Sequence, residues 1–137
     1  MDVIALIGRI LFVAIFFGSG FAHLTQTAGM AGYAEAKGVP SGKLAVVGSG
    51  VLMLLGGLMV LLGVWADLGA LFLVVFLLPT AFIMHAFWKE TDPQAKQMEM
   101  TQFMKDISMG GAALFIFALY AGHGQDLGLT ITGPLFG

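Results

Sequence analysis

The sequence predicts an all-α protein, a transmembrane four-helix bundle of up-down-up-down topology. Three observations lead there. Hydrophobic residues make up 58% of the 137 positions and charged residues only 10%, with a mean hydropathy of +0.94; an ordinary soluble domain carries about 25% charged residues. The apolar residues fall into four long runs, and a span needs roughly 20 of them at about 1.5 Å rise each. All five lysines sit in two of the gaps between runs, Lys37 and Lys43 in the first, Lys89, Lys96 and Lys105 in the third. Alternating crossings put those two gaps on one membrane face.

The chain reads as a single membrane domain, 1–137, with spans at about 3–24, 44–64, 68–88 and 105–122. The first is interrupted only by Arg9. The acidic Asp2 and the poor small-x-small pattern of Gly18–Ala22 argue against a cleaved signal peptide. Pro40-Ser41-Gly42 stops the first connection and starts the second span. Asp67 is placed to cap the third span. Trp65 and Trp88 bracket that span, 23 positions or roughly 34 Å of helix apart, close to the spacing of the two interfacial aromatic belts. Pro79 inside it is expected to kink rather than stop the helix. Asp92-Pro93 reads as a cap followed by a first helical residue, so about 93–106 forms a polar helical lead-in to the fourth span. Gly122-His123-Gly124 ends that span, and a short tail follows. Gly50 with Gly57, and Gly56 with Gly63, recur at seven residues, which puts each pair on one stripe of the second span; small stripes let backbones approach closely in lipid.

The lysine bias predicts a cytoplasmic Lys-rich face and both termini outside, in a bacterial-type cytoplasmic membrane. The lipid bilayer is the one necessary partner; a redox partner protein or a second copy of the chain is compatible with the pattern. No basic stripe points to nucleic acid. The absence of cysteine excludes thiolate metal sites and thiol catalysis, and no phosphate loop, carboxylate pair or nucleophile elbow is present.

The candidate site residues are the polar ones at membrane depth. Ionisable groups in spans usually face the protein interior or a cavity. His23 closes the first span and His85 nears the end of the third, so both point to the Lys-rich face, where Lys105 and Asp106 also lie. His85, Trp88, Lys89 and Asp92 follow three-four-seven spacing and would share a helix face. The competing readings are interfacial histidines, a belt tryptophan and snorkelling lysines. Arg9 lies about two turns inside the first span, on one face with Phe16, Gly20 and His23. It looks into the bundle, roughly 21 Å from His23 along the axis, either as a ligand group or paired with helix C-terminal carbonyls.

Residues 16–23, Phe-Phe-Gly-Ser-Gly-Phe-Ala-His, following Arg9, resemble the first helix of the DoxX family. So do His85-Ala86-Phe87-Trp88-Lys89-Glu90-Thr91-Asp92-Pro93 and Gln102–Ala112. Asp106 departs from the asparagine common in the family after a lysine. The resemblance implies a four-helix inner-membrane protein, and some members are assigned to quinone-linked sulfur oxidation or membrane oxidoreductase assemblies. On that basis the leading expectation is a small redox-associated subunit holding a quinone, with His23, His85 and Lys105 donating to a quinone oxygen, Trp88 and Phe87 as apolar wall, and Arg9 a further candidate. The alternatives are a non-catalytic scaffold or accessory subunit of a larger membrane complex, packing through its glycine-lined helices, and a b-type haem held by His23 and His85.

Overall fold

The computed structural model describes residues 1–137 and contains helices but no strands. The α-helices are α1 (Asp2–Thr25), α2 (Thr27–Ala36), α3 (Gly42–Leu62), α4 (Ala66–Met84) and α5 (Pro93–His123). Short 3-10 turns cover Phe87–Lys89 and Gly124–Asp126. Four stretches, 2–25, 42–62, 66–89 and 93–126, are long and apolar enough to cross a membrane. Helix α3 is central: α1 and α4 pack on it, α5 packs on α4, and α2 lies against α3 near the Lys-rich end. The main apolar cluster joins Val13 and Phe16 of α1, Met53 and Val60 of α3, Ala70, Leu73 and Leu77 of α4, and Ala113 of α5. Large apolar side chains such as Leu11, Leu44, Val75 and Phe115 stay exposed, as expected of a surface that faces acyl chains rather than water.

Glycines set the helix spacing. At the α1–α3 crossing, a Cβ on Gly50 would lie 2.9 Å from the His23 Cβ and 3.2 Å from the Gly20 carbonyl oxygen. At the α3–α4 crossing, a Cβ on Gly56 would lie 2.8 Å from the Gly69 carbonyl oxygen. The two stripes predicted on this helix therefore face different neighbours. Gly50 and Gly57 meet α1, the latter against Phe17; Gly56 meets α4 and Gly63 meets Thr130 of the tail. In lipid, where apolar burial gives little net drive, such close backbone contact supplies much of the association energy.

Three local features differ from the sequence reading. The first gap folds as α2, an Ala- and Gly-rich helix that buries Ala31 and Ala34 against Val46. Thr27 Oγ donates to the His23 carbonyl at 2.7 Å, holding the bend between α1 and α2. The third span breaks as an α-helix after Met84; His85 leaves it with φ −116° and ψ 41°. His85, Trp88, Lys89 and Asp92 therefore do not share one face. Asp67 does not cap α4. It is fully buried inside the helix and accepts hydrogen bonds from the backbone N–H of Leu135 (2.8 Å) and Phe136 (2.8 Å). Asp92, by contrast, caps α5 by accepting from Ala95 N–H at 2.9 Å, with Pro93 next. From there α5 runs unbroken to His123.

The tail closes the end opposite the lysines. Ile131 and Thr132 donate backbone N–H groups to the Gly63 carbonyl, and the Thr132 hydroxyl accepts from Trp65 N–H at 2.9 Å. Gly63, with φ 65°, ends α3 in the left-handed conformation that glycine adopts without strain.

Candidate functional site

A cavity of about 550 Å³ lies at the Lys-rich end, enclosed by α1, α2, α3, α4 and the middle of α5. Its wall is mostly apolar, with Ile15, Phe16, Leu52, Met53, Phe76, Ile83 and Met109 among the lining residues. The polar side chains reaching it are Ser19, His23, Tyr33, Ser49, Thr80, His85, Lys105 and Asp106. Of the predicted site residues, the fold thus brings His23, His85 and Lys105 together.

Each is held by its local structure. His23 sits one turn past Gly20, where the tight α1–α3 crossing carries it to the wall of α3. Its Nδ1 lies 2.9 Å from Ser49 Oγ and 3.3 Å from the Val46 carbonyl oxygen. His85 leaves α4 at its last turn and turns toward α5. Its Nδ1 donates to Glu99 Oε2 at 2.7 Å, and its Nε2 stands 3.7 Å from Asp106 Oδ2. Asp106 is buried, and that Oδ2 has no hydrogen-bond partner. Lys105 is exposed and turned to the Gln102 amide oxygen, so it belongs to the rim.

A polar network joins this end of the cavity to the membrane surface. The Tyr33 hydroxyl donates to Glu99 Oε1 at 3.1 Å, and Lys37 Nζ lies 3.6 Å from the same carboxylate and 3.2 Å from Glu90. Burial, followed by the hydrogen bond to Glu99 and its charge, holds the Tyr33 phenol above its ordinary value. At Lys37 burial acts to lower the pKa. The Glu90 hydrogen bond and the charges of Tyr33, Glu99 and Glu90 outweigh it, and the net direction is upward. These contacts also place residues 37 and 99, from the two lysine-bearing gaps, side by side.

Two predicted residues lie elsewhere. Trp88 is 49% exposed and stacks edge-on with Phe87 and Phe103, outside the cavity. Phe87 does not line it either. Arg9 sits near the opposite end, 4% exposed, beside Tyr120, and donates through Nη2 to the Leu129 carbonyl at 2.7 Å. Its face of α1, with Val13, Phe16 and Gly20, is the buried one. The sequence reading leaves out Glu99 and Tyr33. A signal existed for Glu99: it precedes Asp106 by seven residues, two turns along one face of α5. Tyr33 joins only because α2 folds back. No group of three or more His, Cys, Asp or Glu side chains in the chain could hold a metal ion.

Comparison with known proteins places this architecture. A family model described as DoxX matches residues 4–86. The chain is 35% identical over 133 residues to Inner membrane protein YqjF of Escherichia coli (strain K12), covering 97% of this chain and 86% of that protein. It is 31% identical over 132 residues to Inner membrane protein YphA of the same organism, covering 96% and 84%. No solved structure matches. With four apolar crossings and inner-membrane relatives along nearly its whole length, this integral inner-membrane protein belongs to the DoxX family.

Proposed function

We propose that the protein is a small subunit of a membrane redox system and that its cavity holds the head group of a quinone. The observation that carries this reading is the cavity itself: about 550 Å³, inside the usual range of roughly 300–1,000 Å³ for small-molecule sites, largely apolar, with His85 and Asp106 side by side in its lining and His23 in the wall against Ser49. Ile15, Leu44, Val75 and Ile83 contribute to its lining while remaining exposed on the bundle surface. A lipophilic ligand can therefore reach it from the bilayer. The Glu99–His85–Asp106 line sets an imidazole between two carboxylates, 2.7 Å from one and 3.7 Å from the other, on the way from the surface to the cavity, the kind of acid–base relay that quinone chemistry uses. Lys105 stands at the rim; Arg9 and Trp88 are assigned no contact with the ligand.

By the lysine bias the cavity end faces the cytoplasm and both termini face outward; thiol-reactive labels introduced at positions 37 and 96 would then react from the cytoplasmic side alone. The test of the function is recovery of a quinone by extraction of the purified protein and its loss from a His85→Ala variant. Extracts empty of quinone in both would reject the site. The scaffold reading gains less support, because the α3 glycines that suggested it are taken up by contacts within the chain. It is favoured if the protein co-purifies with a membrane complex through harsh detergent and carries no extractable quinone.

A further inference from the structure

The cavity's polar groups are not balanced between donors and acceptors. The Ser49 hydroxyl donates to the Val46 carbonyl at 2.9 Å. It can therefore only accept from His23 Nδ1, and the carbonyl oxygen beside that nitrogen can only accept as well. So His23 carries its proton on Nδ1. In the neutral ring Nε2 then offers a lone pair and no hydrogen. Two of the other three hydroxyls are spent in the same way: Thr80 donates to the Phe76 carbonyl at 2.6 Å, and Tyr33 donates to Glu99, leaving Ser19 able to donate or accept. Asp106 Oδ2 is a buried oxygen with no partner. Pro79, in the wall, has no N–H and leaves the Val75 carbonyl without its ordinary helical donor. Lys105, the one cation among the lining residues, is turned to Gln102 on the exposed face.

A buried polar atom without a partner is costly, and a ligand that completes several such atoms is selected by them. A quinone carries only acceptor oxygens toward this wall. Its two-electron, two-proton reduced form carries two hydroxyl donors. We infer that the cavity recognises hydroxyl-bearing lipophilic head groups, with His23 Nε2 and Asp106 Oδ2 accepting the hydrogens, and so takes a quinol in preference to the matching quinone. This rests on the reading of the cavity as a quinone-class site and sets its preferred redox form.

The test is a ligand ladder on the purified full chain in detergent under anaerobic conditions. It compares an alkyl hydroquinone, the quinone with the same tail, and the dimethyl ether of the hydroquinone, by equilibrium binding. The hydroquinone should bind at least about tenfold more tightly than either analogue, the worth of one hydrogen bond to a charged or buried acceptor. In Asp106→Asn, where an amide donor replaces one carboxylate oxygen, that margin should shrink severalfold or invert. The wild-type ladder decides the matter even if the variant fails to fold. Equal binding of all three, or tighter binding of the quinone, overturns the acceptor preference while leaving the quinone site standing. Binding of none of the three rejects both.

Discussion

Replacing Gly56 by alanine tests whether the α3–α4 crossing is held by backbone contact. The new Cβ would stand 2.8 Å from the Gly69 carbonyl oxygen, 3.1 Å from the Phe72 Cβ and 3.2 Å from Leu73 Cδ2. The nearest obstacle is main chain and cannot rotate away, so the helices must part by about half an ångström to restore ordinary contact, at a cost of about 1–3 kcal/mol by analogy with overpacked cores. Alanine also favours a helix over glycine by about 1 kcal/mol, which hides part of that cost. Gly111→Ala supplies the correction, since its Cβ meets nothing within 4 Å and only the helical gain should register. The expected difference between the two variants is therefore about 1–3 kcal/mol, with Gly56→Ala the less stable. Unfolding by titration of denaturing detergent into mild micelles, followed by far-ultraviolet circular dichroism, measures it. Equal stabilities would refute the crossing geometry.

Three further outcomes follow from particular contacts. Asp67→Ala removes the acceptor of two backbone N–H groups, each hydrogen bond to a charged group being worth about 1.5–3 kcal/mol; residues 127–137 should become protease-sensitive while the helices survive. Arg9 has no carboxylate partner, and two of its guanidinium nitrogens are buried without hydrogen bonds. Arg9→Met should therefore leave stability within about 1 kcal/mol of the parent or raise it, and leave ligand binding at the far end unchanged; a loss of binding would return Arg9 to the site. Lys37 and Tyr33 both have raised values, so their contribution to docking α2 is complete below their ordinary values and fades as pH climbs through the raised ones. A probe at Gly32, where a side chain would meet nothing, should report constant mobility through neutral pH and loosening only in strongly alkaline solution. Loosening within the neutral range, well below both ordinary values, would contradict this.

The four crossings were legible because lipid requires long uncharged runs, and no tertiary detail is needed to recognise them. The shared end of His23, His85 and Lys105 followed from parity of crossings alone. The composition of the site did not. Helical spacing groups Trp88 with His85, yet the helix stops at Met84 and the spacing rule stops with it. Asp67 looks like a cap in sequence because aspartate before an apolar run often is one; its partners lie 68 and 69 positions away, a distance no local pattern encodes. The donor–acceptor polarity of the cavity was equally hidden, since a hydroxyl's hydrogen is assigned by the backbone carbonyl beside it. His23 read as a donor in sequence and offers the cavity a lone pair in the fold.

Residues 131–136 finish the turn between α3 and α4, through Gly63, Trp65 and Asp67. That hairpin therefore stays incompletely tied until a segment 67 to 69 positions further along the chain has been made and brought back to it. A side chain in place of Gly137, whose Cβ would press on the Ala121 carbonyl oxygen and on Pro134, would disturb the same knot.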